Sequence, residues 1–142
     1  MGNGGEKALR VMQGEVKMSD GEIRSYRDLK VWQQAMDLAE ACYRLTRGFP
    51  KDELYGMGSQ IRRAAASVPA NIAEGHGRNS RGEYIRFLRV AQGSLKELET
   101  HVLLAQRIRL IEAKTVEPIL DLSEVLGKML RALIRALEAG RE

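Results

Sequence analysis

Residues 80–107, SRGEYIRFLRVAQGSLKELETHVLLAQR, decide the fold. Within them Tyr84, Leu88, Ala91, Leu95, Leu98, Val102 and Ala105 recur at alternating steps of four and three. That period puts all of them on one stripe of an α-helix, and sustained over heptads it makes a seam for packing against other helices. Ser80 and Glu83 stand in the S-x-x-E spacing of a capping box, where hydroxyl and carboxylate satisfy the first free backbone N–H groups, so the helix opens at Ser80.

The flanking segments read as three further helices. Upstream, Asp52 is placed to cap a helix whose stripe is Leu54, Met57, Ile61, Ala64 and Val68. Pro69 is expected to kink this helix, since Ile72 and Ala73 resume the pattern and Gly75-His76-Gly77 closes it. Before it, Asp28 is a candidate N-cap for a helix with the stripe Leu29, Trp32, Met36, Ala39 and Tyr43, stopped by Gly48-Phe49-Pro50. Downstream, Thr115 is expected to cap a helix running to about Ala139, with Pro118 in its first turn and Gly140 just past its end. Residues 1–25 hold no sustained apolar period and read as a flexible N-terminal tail. Residues 26–142 thus predict one all-α domain, an antiparallel up-down-up-down four-helix bundle.

The last helix is apolar on two faces. Ile119, Leu122, Leu126, Met129 and Leu133 form one stripe, and Leu120, Leu130, Ile134 and Leu137 widen it. So wide a stripe needs cover on two sides, and self-association is the expected source, with Leu120, Leu130, Ile134 and Leu137 as candidate oligomer-interface residues.

Composition agrees with a helical domain and narrows the setting. The chain has 142 residues, 44% hydrophobic and 30% charged, with 5% aromatic residues and three prolines. That is enough apolar material for one core, in residue types that favour helix over strand. The lone Cys42 excludes an internal disulfide and a multi-cysteine zinc site. No apolar run approaches the roughly 20 residues of a membrane span, and no signal-peptide core is present, so a cytoplasmic setting without membrane contact is expected.

Catalytic chemistry finds no foothold. A di-iron bundle needs Glu and His at i, i+3, but Ala73 and Leu98 precede His76 and His101 by three. His101 is expected to pair along its helix with Glu97. Ser59, Ser67 and Ser94 lie mid-helix without an elbow or a base at motif spacing, and Cys42 has no activating neighbour. The expectation is therefore no enzyme, no metal and no cofactor. The run Gly75-His76-Gly77-Arg78-Asn79-Ser80 lacks the strand and third glycine of a dinucleotide fingerprint, and helix stop followed by helix start accounts for its glycines.

Charge offers a different lead. Lys and Arg number 23 against 19 acidic residues, a net +4, and the excess lies in the middle: residues 26–79 carry +2 and residues 80–110 carry +3. Arg62, Arg63, Arg78, Arg81, Arg86 and Arg89 are the candidate nucleic-acid-binding residues, expected to gather where two helices meet at the loop, with Gln60, Asn71 and Asn79 as polar neighbours. The competing reading is an ordinary solvated face, with Glu74, Glu83 and Glu97 pairing several of these arginines. Trp32, Tyr84 and Phe87 lie on or beside core stripes, so contact with phosphate rather than stacking on bases is expected.

Ordered motifs also carry a family resemblance. They are Tyr26-Arg27-Asp28-Leu29-Lys30-Val31-Trp32, Phe49-Pro50-Lys51-Asp52-Glu53-Leu54-Tyr55-Gly56, Ser59-Gln60-Ile61-Arg62-Arg63-Ala64-Ala65, Ser67-Val68-Pro69-Ala70-Asn71-Ile72-Ala73-Glu74-Gly75-His76-Gly77-Arg78, and Glu83 through Thr100. From Tyr26 to about Leu137 the chain resembles the four-helix-bundle family named after the 23S rRNA intervening-sequence protein, the residues before Tyr26 being a departure from its usual short start. The resemblance implies an antiparallel bundle assembling into a homopentamer around a channel, in a family without an established biochemical role. A more distant likeness, to the accessory variability protein of diversity-generating retroelements, implies by analogy a basic pentamer that binds reverse transcriptase and nucleic acid. The expected function is a basic homo-oligomeric scaffold associated with RNA, DNA or a ribonucleoprotein. The alternative is a protein-only adaptor docking a partner enzyme such as a reverse transcriptase.

Overall fold

The computed structural model describes residues 17–18 and 21–140. Two two-residue strands, β1 (Lys17–Met18) and β2 (Gly21–Glu22), pair antiparallel, with Lys17 opposite Glu22. The rest of the stretch read as a tail falls mostly outside the described residues. A 3-10 turn, Tyr26–Asp28, leads into four long helices: α1 (Lys30–Thr46), α2 (Met57–His76), α3 (Arg81–Arg107) and α4 (Ala113–Glu138). They enclose one core, with α2 against α1 and α3, α3 against α4, and α4 back against α1.

The helix starts differ from the sequence expectation, each for a local reason. Asp28 does not cap α1; its carboxylate accepts from the Arg24 and Ser25 N–H groups, closing a capping box with Ser25 around the 3-10 turn. Those two bonds hold its carboxyl below the usual carboxylate range. Asp52 does not cap α2 either. Lys51–Leu54 forms a separate turn, the chain breaks at Tyr55-Gly56, and the Glu53 carboxylate accepts from the Met57 N–H at 3.2 Å. α4 begins two residues before Thr115, so Pro118 lies in its second turn. Ser80 does cap α3, accepting from the Glu83 N–H at 3.1 Å, but the Glu83 carboxylate turns to Arg86 instead of completing the box.

The α3 stripe is buried along its whole length, from Tyr84 to Ala105, and supplies Leu88, Leu95 and Leu98 to the centre. Burying each such leucine is worth about 1.5–3 kcal/mol. Two other stripes correct the sequence reading. Of the stripe expected on α1, Leu29 and Ala39 are buried, but Trp32 is half-buried and Met36 and Tyr43 are 43% and 45% exposed, and the row that is buried throughout is Val31, Ala35, Leu38 and Cys42. The row one residue back wins because its small members let α1 approach the core closely. On α4, Leu130, Ile134 and Leu137 are 0%, 3% and 0% exposed within the single chain, and Leu120 is half-buried. α4 packs against both α3 and α1, so its second stripe is covered by its own domain rather than by another copy.

α2 closes at His76 with Gly77 as its C-cap, as the run Gly75-His76-Gly77 predicts. Gly75 itself lies in the last turn, buried, where a Cβ would come within 2.8 Å of the Phe87 Cβ and 3.2 Å of the Tyr84 carbonyl oxygen on α3. Lower down the same pair of helices, the Ser67 and Ser94 hydroxyls hydrogen-bond at 2.7 Å, and Asn71 Nδ2 donates to the Ser67 carbonyl at 2.8 Å. α3 ends in a Schellman pattern: Leu110 N–H donates to the Ala105 carbonyl and Arg109 N–H to that of Gln106. Arg109 holds the left-handed position with φ 64°, where α4 uses Gly140 at φ 74°.

Two substitutions check this reading. Gly75→Ala should destabilise by about 1–3 kcal/mol in urea unfolding, because overpacking at backbone outweighs the gain in helix propensity. Arg109→Gly should instead stabilise by about 0.5–1 kcal/mol, since glycine adopts that conformation without Cβ strain.

Candidate functional site

The six candidate arginines fall into two groups. Arg78 sits in the loop after α2, and Arg81, Arg86 and Arg89 lie in the first nine residues of α3. Arg62 and Arg63 are near the start of α2, about 21 Å from that loop at 1.5 Å per residue, so the six do not share one end. Arg62 is half-buried and its Nη2 donates to the Leu54 carbonyl at 3.1 Å.

At the loop end, Phe87 organises the group. Its ring carries the Arg78 guanidinium at 4.7 Å from the centroid and that of Arg86 at 4.5 Å, while only 8% of the residue is exposed. The two cations are held by the ring quadrupole and by carboxylates: Arg78 pairs with Glu74 at 2.8 Å and Arg86 with Glu83 at 3.0 Å. The Arg86 hydrogen bonds keep the Glu83 carboxyl below its usual range, and Glu83 raises Arg86 in turn. Arg89 reaches across to Glu138 on α4. Arg81, with Asn79 and Ser80, lines a cavity of about 260 Å³ at the N-terminus of α3, bordered by the edge-to-face rings of His76 and Tyr84. These exposed ion pairs are worth little each, so a phosphate can exchange for a carboxylate at low cost. Asn71 is committed to Ser67 and does not face this end.

A second feature escaped the sequence reading. Trp32, Met36 and Tyr43 of α1 face Ala66, Ala70 and Ala73 of α2 across an open apolar groove of about 600 Å³. The Tyr26 ring packs edge-on against Trp32 at 5.2 Å. These are the large residues assigned from periodicity to the core. The signal that could have placed them outside is the parallel apolar row one position back, at Val31, Ala35, Leu38 and Cys42, where Val31, Ala35 and Cys42 are smaller than Trp32, Met36 and Tyr43.

Among the described residues no three His, Cys, Asp or Glu side chains converge to hold a metal, and His101 lies 3.5 Å from Glu97 along α3. Burial pushes the Cys42 thiol up to about 12. No described helix is long and apolar enough to cross a membrane.

The architecture is that of an all-helical domain with a basic loop end. Residues 27–132 match the family model of the 23S rRNA-intervening sequence protein, and the chain belongs to that family. Among solved structures it is similar to a protein of unknown function from the S23 ribosomal protein family of Bacteroides thetaiotaomicron VPI-5482, at 26% identity and TM-score 0.66, covering 74% of this chain and 98% of that one. No curated protein matches the chain significantly.

The folded protein should leave Cys42 unreactive toward a thiol reagent at pH 8, with one equivalent released on unfolding; rapid labelling of the native protein would contradict the burial.

Proposed function

We propose that the protein is a non-enzymatic, cytoplasmic, homo-oligomeric scaffold that contacts RNA or DNA through phosphate at the loop end of an antiparallel up-down-up-down bundle. One observation carries the nucleic-acid reading: Arg78, Arg81, Arg86 and Arg89 gather within one loop and the first turns of one helix, two of them stacked on the same ring. Arginine suits the task, because its planar fork grips two phosphate oxygens and its ion pairs here are exposed and exchangeable. The pairings of Ser67 with Ser94 and Gly75 with Phe87 support opposite directions for α2 and α3.

The family resemblance supports assembly into five copies, and five chains of net +4 would carry about +20 on one particle. Such a field attracts polyanions with little sequence preference and a steep salt dependence. The Trp32 ring lies in the apolar groove rather than at the loop end, which favours backbone contact over base stacking.

The test is RNA binding by the full chain across a salt series. Arg81→Glu combined with Arg86→Glu should weaken binding to mixed-sequence single-stranded RNA at least about ten-fold near 0.1 M salt and reduce the salt slope by about 1.4. Arg63→Glu, far from the loop, should leave both nearly unchanged. Absence of wild-type binding at low salt, or unchanged binding by the double variant, would overturn the reading. Recovery of a partner enzyme that survives nuclease treatment, from a protein that binds no RNA, would favour the adaptor alternative.

A further inference from the structure

We infer that a nucleic-acid strand held at the loop end continues along a groove between α3 and α4, where Lys96 and Arg131 take its phosphates. This rests on the loop-end reading and adds the path of the strand across the domain. Two adjoining cavities of about 420 and 360 Å³ lie between these helices and share Lys96, Gly127 and Arg131 in their walls. Arg89, the loop-end arginine furthest along α3, lines the nearer of the two, so the basic end and the groove form one surface.

The charge of the groove is positive after its ion pairs are counted. Four cations, Arg89, Lys96, Lys128 and Arg131, stand in the walls against two carboxylates, Glu99 and Glu124. Glu99 is shared: it accepts from the buried Ser123 hydroxyl as well as from Lys96 at 3.2 Å. Lys96 is 72% exposed on its side chain, and the Lys128–Glu124 pair, at 3.8 Å, is exposed too, so both lysines can exchange a carboxylate for a phosphate at low cost. Arg131 makes no ion pair among the described residues. It is exposed, and its guanidinium lies over Gly127, 3.7 Å from where a Cβ of that residue would stand. An arginine fork without a carboxylate, beside an exposed lysine, suits a phosphate of the strand.

The room for a strand comes from Gly93 on α3 and Gly127 on α4. A Cβ on Gly93 would meet nothing within 4 Å, and one on Gly127 would make only ordinary contact, so neither glycine is needed to bring helices together as Gly75 is. Lys96 lies two helical turns beyond Arg89, about 10.5 Å, a step that a few nucleotides of single strand bridge. Further on, the walls turn to Glu124, Leu103 and Leu120, where the basic track ends. Contact in the groove runs through side chains of mid-helix residues whose amides are already hydrogen-bonded, so strand binding reads it and amide exchange does not.

Anisotropy of a labelled single-stranded RNA of about sixteen nucleotides, titrated with the full chain across a salt series, tests the path. Lys96→Glu combined with Arg131→Glu should weaken binding at least about ten-fold near 0.1 M salt and lower the salt slope by about 1.4. Arg47→Glu combined with Lys51→Glu makes the same change in net charge on exposed residues between α1 and α2, and should cost far less. Gly93→Gln adds no charge and puts a side chain into the open groove. It should weaken binding too, while its urea midpoint stays at or above that of wild type, because glycine is the poorer helix former. Groove variants that bind no worse than the Arg47/Lys51 control would overturn the path and leave the loop-end reading standing. If those variants bind RNA normally but sediment differently from wild type, the groove belongs to a protein contact and the path is wrong. Loss in the groove variants with full binding by Arg81→Glu/Arg86→Glu would overturn the loop-end reading and the continuity drawn from it. A wild type that binds no RNA at low salt would overturn both.

Discussion

The basic end of the molecule depends on how closely α2 approaches α3 at Gly75. With no side chain there, the Phe87 Cβ and the Tyr84 backbone sit where any other residue would place its own Cβ. That approach seats Phe87 beneath the loop, and Phe87 in turn gives Arg78 and Arg86 a common face to stack on. Tyr84 meets His76 edge-on from the same turn of α3. Separating the two helices by even a methyl would move the ring away from the loop, so the geometry of the arginines is set by a packing constraint in the core.

Further along the same seam the contacts turn polar without becoming unsatisfied. The Ser67 hydroxyl bonds that of Ser94 and also accepts from Asn71, a compact network that lets small residues meet where a leucine pair would hold the helices apart. On the opposite seam, Ser123 of α4 donates to Glu99 of α3. Core leucines from α3 and α4 fill the space between, and on α4 they leave Leu120 and Leu122 half-buried and Val125 exposed.

Much of this was legible in the sequence, and the failures share a cause. The α3 stripe was unambiguous because only one apolar row runs along it. On α1 and α4 two apolar rows compete, and periodicity alone gives no rule for which of them the core takes. Packing decides: small Ala35 and Cys42 face inward on α1 while large Trp32, Met36 and Tyr43 line a groove, and on α4 both rows go inside. The exposed apolar groove lies on α1 and α2 instead. Among the arginines, Arg78, Arg81, Arg86 and Arg89 could be grouped by chain distance from the loop. The separation of Arg62 and Arg63 follows from helix rise, and the ring that unites Arg78 with Arg86 was hidden because Phe87 read as core.

The family match fixes what kind of domain this is, and the proposed phosphate contact at the loop end is open to a direct test. The first amides of α3 lack carbonyl partners within their helix, apart from the Glu83 N–H taken by Ser80, so they exchange hydrogen rapidly unless an anion covers them. Hydrogen–deuterium exchange of the full chain with and without single-stranded RNA is thus the most direct measurement. The account expects slowed exchange confined to residues 77–90, with residues 58–66 unaffected. Protection centred on the start of α2, or no change anywhere under conditions where RNA is bound, would contradict it.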